Sequence, residues 1–160
     1  MALPVALVVG VVIAAAVARS QAPGPLGLAG VVAPSAGSAD CMRLLAALPA
    51  KLDGGEQGDL QRRQLAAPAP AGAAGWGEPP VVLRCGLNRP AELTATSRLL
   101  AVSGVQFLEI PNLGTSAWVA VDRPVYVLVA LPPVTGSGPL QQVADIIAAT
   151  LPQRDVDIPR

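Results

Sequence analysis

The chain has 160 residues, 52% of them apolar but only four aromatic (Trp76, Phe107, Trp118 and Tyr126), and its 11 cations balance its 11 acids. A net charge of zero gives no electrostatic footprint for nucleic acid and no basis for strong attraction to anionic lipid. The absence of histidine excludes Ser-His-Asp and Cys-His machinery and leaves zinc without one of its usual ligands.

Met1–Ala18 carries no charge. As a helix it would be about 27 Å long, close to the roughly 30 Å of a bilayer's hydrocarbon. Residues 1–19 therefore read as a signal peptide or a membrane anchor, and Ala14-Ala15-Ala16 and Ala16-Val17-Ala18 both fit a signal-peptidase site. No Lys or Arg precedes the run, while Arg19 follows it. Taken alone, the positive-inside rule would leave the C-terminal side in the cytoplasm. Export is restored if the true start lies upstream or if the α-amino group serves as the positive end. Residues 20–39 are uncharged and rich in Pro, Gly, Ala and Ser, so they read as a flexible linker with a reach of about 25 Å. Residues 40–160 are then a single domain, with a low-complexity loop at 65–75.

Within the domain, Asp40 reads as an N-cap, followed by Cys41, Leu44, Leu45 and Leu48 at helical spacing, with Pro49 ending the helix. The acids of Asp53-Gly54-Gly55-Glu56-Gln57-Gly58-Asp59 lack the density of a calcium loop and read as a solvated connection. After Pro79-Pro80, Val81, Leu83 and Cys85 alternate with Val82 and Arg84, which predicts a strand. Each cysteine thus falls on the face its own element should bury, and a Cys41–Cys85 disulfide would staple helix to sheet; the alternative is two buried free thiols. Leu99–Val102 and Val105–Ile110, joined by Ser103-Gly104, read as a hairpin, and Ser116–Val121 with Val125–Leu131 as a second. Both alternating sets of the last strand are apolar, so it should be central or covered on both faces. Gly138-Pro139 opens a C-terminal helix that Pro152 ends, and Asp155 and Asp157 read as a solvated tail. The expected class is α+β: a small, mainly antiparallel sheet of about five strands with an N-terminal and a C-terminal helix.

Chemistry is easier to exclude than to propose. A Ser-Lys pair would have to use Lys51, the only lysine, in a Gly/Asp-rich stretch. The two cysteines are too far apart in sequence for a Cys-x-x-Cys redox pair, and no cofactor or metal motif is present. Trp76, Glu78 and Arg84 could form a small recognition surface for a glycan, a peptide or an envelope protein. The plainer reading is that Trp76 anchors its loop to a core short of aromatics. Arg84 is then a salt-bridge partner of Glu78 or Glu92, or a solvent-side strand residue.

The run Trp76-Gly77-Glu78-Pro79-Pro80-Val81-Val82-Leu83-Arg84-Cys85-Gly86 resembles the Trp-Gly-acid-Pro…Leu-Arg-Cys-Gly signature of domain of unknown function family 3515. Cys41 just before a leucine-rich helix is similar to that family as well. The resemblance implies an exported or membrane-anchored actinobacterial protein and brings no activity with it. The expectation is a non-catalytic cell-envelope protein that binds or scaffolds, touching the membrane through residues 1–19 if these are retained. One alternative is an envelope enzyme using Glu78, Glu92, Glu109 and Asp122 as acid/base groups. Another is an accessory subunit of a membrane complex.

Overall fold

The computed structural model describes residues 23–112 and 115–158. The expected signal or anchor at residues 1–19 lies outside the described residues.

Helix α1 (Ala39–Ala47) begins two residues earlier than expected, because Ser38 and not Asp40 is the cap: its hydroxyl accepts from the Cys41 N–H at 3.3 Å. Asp40 instead sits in the first turn, where a carboxylate favours the helix dipole. Leu48 and Pro49 lead out of the helix into strand β1 (Lys51–Asp53), which pairs with β2 (Asp59–Gln61) and buries Leu52 opposite Leu60. The acidic run expected as a solvated loop is therefore the tip of a small hairpin, closed by a 3-10 turn at Gly55–Gln57 and a Gly54 N–H to Gly58 carbonyl bond of 2.8 Å.

The main sheet contains β3 (Ala73–Trp76), β4 (Val81–Leu87), β5 (Leu99–Val102), β6 (Val105–Asn112), β7 (Thr115–Ala120) and β8 (Tyr126–Leu131). Its order is β3-β4-β8-β7-β6-β5, with every neighbour antiparallel. Six strands stand where about five were expected. The extra one, β3, comes from Ala-Ala-Gly-Trp, which has little intrinsic strand preference and forms by pairing with β4. Strand β8 is central, as its two apolar faces require. The β5–β6 turn places both Ser103 (φ 50°) and Gly104 (φ 74°) in the left-handed region, the conformation of a two-residue type I′ hairpin.

Helix α1 and the C-terminal helix α2 (Gly138–Thr150) cover one face of the sheet. The core there runs from Cys41, Leu44 and Leu48 through Trp76, Leu83, Phe107 and Val129 to Val143 and Ile147. The Cys41–Cys85 disulfide lies inside it, with the two Cα atoms 5.7 Å apart and both residues fully buried. On the opposite face Leu93, Leu108, Val119 and Val121 form a second cluster with Tyr126, Leu128 and Val156, so the loop after β4 and the C-terminal tail close that side.

The reading of 20–39 as a flexible linker is corrected for Pro23–Ser38, which is laid against the domain as a strap. Leu26 is buried and its backbone bridges residues 64–66, with Leu26 N–H to Gln64 O at 2.8 Å and Ala66 N–H to Leu26 O at 2.9 Å. Ser35 N–H donates to Gly86 O at 3.0 Å, and Ala36 is buried. The strap fits because three glycines leave it room: a Cβ at Gly72, Gly75 or Gly86 would meet Ala36, Leu26 or the Ser35–Ala36 backbone. Gly86 is the sharpest case, since its φ of 85° also disfavours any side chain. Gly86→Ala should cost about 1–3 kcal/mol of stability and expose residues 23–38 to protease before the domain unfolds. Wild-type resistance of the strap in that variant would contradict this packing.

Candidate functional site

The three residues expected to form a recognition surface do not share one. Trp76 is fully buried; its indole N–H donates to the Pro49 carbonyl at 3.0 Å, and the Arg62 guanidinium stands 5.7 Å from the ring centroid. Glu78 is exposed and pairs with Arg63, whose guanidinium also reaches Gly77 O at 3.3 Å and Gly24 O. Arg84 meets neither Glu78 nor Glu92. It is buried on the strap side of the sheet and donates to Ala29 O at 2.6 Å, and burial pulls its guanidinium below the ordinary arginine pKa. Arg63 and Arg84 thus tie the strap down through backbone carbonyls, which is a structural use of both side chains.

The four candidate carboxylates are also separated. Asp122, after β7, is buried with Arg123, whose guanidinium lies 2.9 Å from Asp122 Oδ2 and donates to Asp122 O and to Gly104 O at 2.9 and 3.0 Å. Asp122 Oδ1 accepts from the Gln106 N–H at 3.1 Å. This pair clamps the β5–β6 turn onto the end of β7. Glu92 is exposed in the loop after β4, and Glu109 is exposed on β6 opposite Trp118. None of the larger cavities is lined by two of the four. Among the described residues, no group of three or more Cys, Asp or Glu side chains is placed to hold a metal ion.

Sequence reasoning missed a groove of about 700 Å³ beyond the edge of α2. Its walls come from β5 (Leu100, Val102), β7 (Ser116, Trp118), the end of β8 (Leu131) and α2 (Leu140, Gln141, Asp145), with Pro132–Ser137 closing one end. These residues lie far apart in sequence, so no local pattern marks the groove. What local signal existed was Trp118, readable only as core or sheet face; it is half-buried and packs against the main core. Leu100, at the rim, is 48% exposed. An apolar floor with a few hydroxyl, amide and carboxylate groups on its wall can take an extended peptide or an apolar group with one polar end.

On the opposite face, Tyr126 gives a spectroscopic handle because it is the only tyrosine. Burial raises its phenol above the ordinary value of 10.0, the Asp157 carboxylate adds to this, and Arg89 opposes it. A raised folded-state pKa means that the fold holds the proton more tightly. This contribution to stability is whole below about pH 10 and is lost as pH rises through the folded pKa. A phenolate absorbance titration should give a higher midpoint in the folded protein than in urea, and a lower folded midpoint in Asp157→Asn. Coincident folded and unfolded midpoints would contradict the placement of the C-terminal tail beside Tyr126.

Fold and sites define a disulfide-closed α+β domain with a six-stranded antiparallel sheet, covered by helices on one face and by loop, strap and tail on the other. The chain belongs to the family described as protein of unknown function (DUF3515), whose family model matches residues 1–156. No curated protein and no solved structure matches it.

Proposed function

We propose that this chain is a non-catalytic protein of the cell envelope, exported or held at the membrane by residues 1–19, whose folded domain binds or scaffolds another envelope component outside the cytoplasm. The observation that carries the reading is the buried Cys41–Cys85 disulfide. Such bonds form and persist in oxidising compartments and are rare where glutathione and thioredoxin keep thiols reduced. The uncharged run Met1–Ala18 supplies a route out of the cytoplasm. Among the described residues no helix is long and apolar enough to cross a membrane.

A binding role is supported by where the polar chemistry goes. Asp122, Arg123, Arg63 and Arg84 are engaged in holding turns and strap, while the groove beside α2 stays open and largely apolar. The test is a pair of C-terminal fusions in an actinobacterial host, with a photocrosslinking residue at Gln141 in the groove. Alkaline phosphatase, active only after export, should be active, and green fluorescent protein sent through the same general export route should stay dark. Crosslinking in intact cells should capture an envelope protein or glycan. A fluorescent fusion without phosphatase activity would overturn the location, and a groove that crosslinks to nothing would overturn the binding role.

A further inference from the structure

The geometry points to the open β5 edge as a homodimer interface, at which Leu99–Val102 pairs antiparallel with the same strand of a second copy, centred on Leu100. This goes beyond the reading above and does not depend on the cellular location.

The two edges of the sheet are treated differently. The outer side of β3 is closed by the chain itself: Arg63 N–H donates to Gly75 O at 2.8 Å, Gly77 N–H to Gln61 O at 2.9 Å, and Arg62 bridges Trp76. Strand β5 has no such cover. Val102 and Val105 flank the two-residue turn, so they and the pair Leu100–Phe107 are the hydrogen-bonded pairs of the hairpin. Leu99 and Ala101 therefore turn their N–H and C=O groups away from β6. Gln106, opposite Ala101, bonds in the other direction, accepting from Val121 N–H at 2.9 Å and donating to Asp122. Among the described residues, no backbone hydrogen bond outside the strand ladder reaches Leu99 or Ala101. Edges left open in monomers are commonly protected by a lysine, a proline or a bulge. Leu-Leu-Ala-Val has none of these, and it exposes Leu100.

The strand is complementary to itself. Its two outward-facing residues are symmetric about Leu100, so the register Leu99 to Ala101 and Ala101 to Leu99 makes four backbone hydrogen bonds and sets the two Leu100 side chains side by side. Among the described residues the main sheet has one open edge per copy, so the pairing closes at two and does not propagate. Charge agrees with this register. It puts the second copy's Arg98 opposite Val102, on the face where Asp145 lines the same groove as Val102. Neither Arg98 nor Asp145 has an ion-pair partner among the described residues, and the two-fold symmetry makes the contact twice.

The test uses the full chain in mild detergent. Leu100→Cys should form a covalent dimer under gentle oxidation, because the facing positions lie within reach of a disulfide. Met42→Cys, on the exposed side of α1 and 60% exposed, is the control and should remain monomeric. In sedimentation, Ala101→Pro should convert dimer to monomer, since the N–H it removes points away from β6. Arg98→Asp and Asp145→Arg should each weaken the dimer about tenfold, and the double variant should restore it. A wild-type chain that is monomeric at every concentration, crosslinking no faster at Leu100→Cys than at Met42→Cys, or a dimer that survives Ala101→Pro would each overturn the proposal. If Ala101→Pro does not fold, the comparison of the two cysteine variants decides alone.

Discussion

Replacing Cys41 and Cys85 together with alanine is expected to remove about 4 kcal/mol of unfolding free energy, the loop-closure entropy of a link between residues 44 apart. A domain of this size has roughly 5–15 kcal/mol in all, so the variant should sit near the edge of folding at growth temperature. The effect is large because of what the bond joins. Cys41 is on α1 and Cys85 is in β4, and the chain between them contains the β1–β2 hairpin and the Pro- and Ala-rich stretch before β3. Without the link, that stretch regains its freedom in the unfolded ensemble and α1 is held only by Leu44, Leu45 and Leu48 in the core and by the Arg43 bond to Thr150 O. Urea titration of the double variant beside the wild type measures the difference. A loss below 1 kcal/mol would show that the bond only decorates a core that is stable without it. Because both cysteines are fully buried, added reductant should act on the native protein only through unfolding.

Trp76→Ala is expected to cost about 3–5 kcal/mol, the range for deleting a large buried ring. Trp76 is among the largest fully buried side chains, and it joins three parts of the molecule. Its strand pairs with β4 at Val81, its indole donates to Pro49 at the exit from α1, and Arg62 lies over the ring from the neighbouring segment. Trp76→Phe should lose less, about 1–3 kcal/mol, because it keeps most of the apolar area while giving up the bond to Pro49 O and part of the ring that fills the core and faces Arg62. Denaturation followed by circular dichroism ranks the variants. A Trp76→Ala domain as stable as wild type would return Trp76 to the surface, and with it the recognition role that burial removes.

The parts of the fold legible in the sequence were those fixed by local pattern. Cys41 with Leu44 and Leu48, and Cys85 with Val81 and Leu83, each marked a buried face, so the pairing could be anticipated before any contact was known. Ser103-Gly104 and Gly138-Pro139 announced a tight hairpin and a helix start through backbone constraints that act within a few residues. What escaped was decided at long range. Strand β3 and the Pro23–Ser38 strap have linker-like composition: β3 forms by pairing with β4, and the strap orders where Gly72, Gly75 and Gly86 let it approach and Arg63 and Arg84 supply donors from distant parts of the chain. The same remoteness hid the groove, whose walls come from residues 100 to 145 brought together by sheet order. Trp76, Glu78 and Arg84 lie close in sequence and suggested a common surface. Trp76 ends β3, Glu78 stands in the turn and Arg84 alternates with Leu83 and Cys85 along β4, so they go to core, solvent and strap side.

The proposed envelope location requires that the domain mature where disulfides form. Intact mass of the protein isolated from its own host, alkylated without reductant, tests this most directly. The predicted result is a chain bearing no alkyl group, either shortened by cleavage after Ala16 or Ala18 or retaining its N-terminal run at the membrane. A chain carrying two alkyl groups, on Cys41 and Cys85, would contradict the account, because those thiols would have remained free in a reducing compartment.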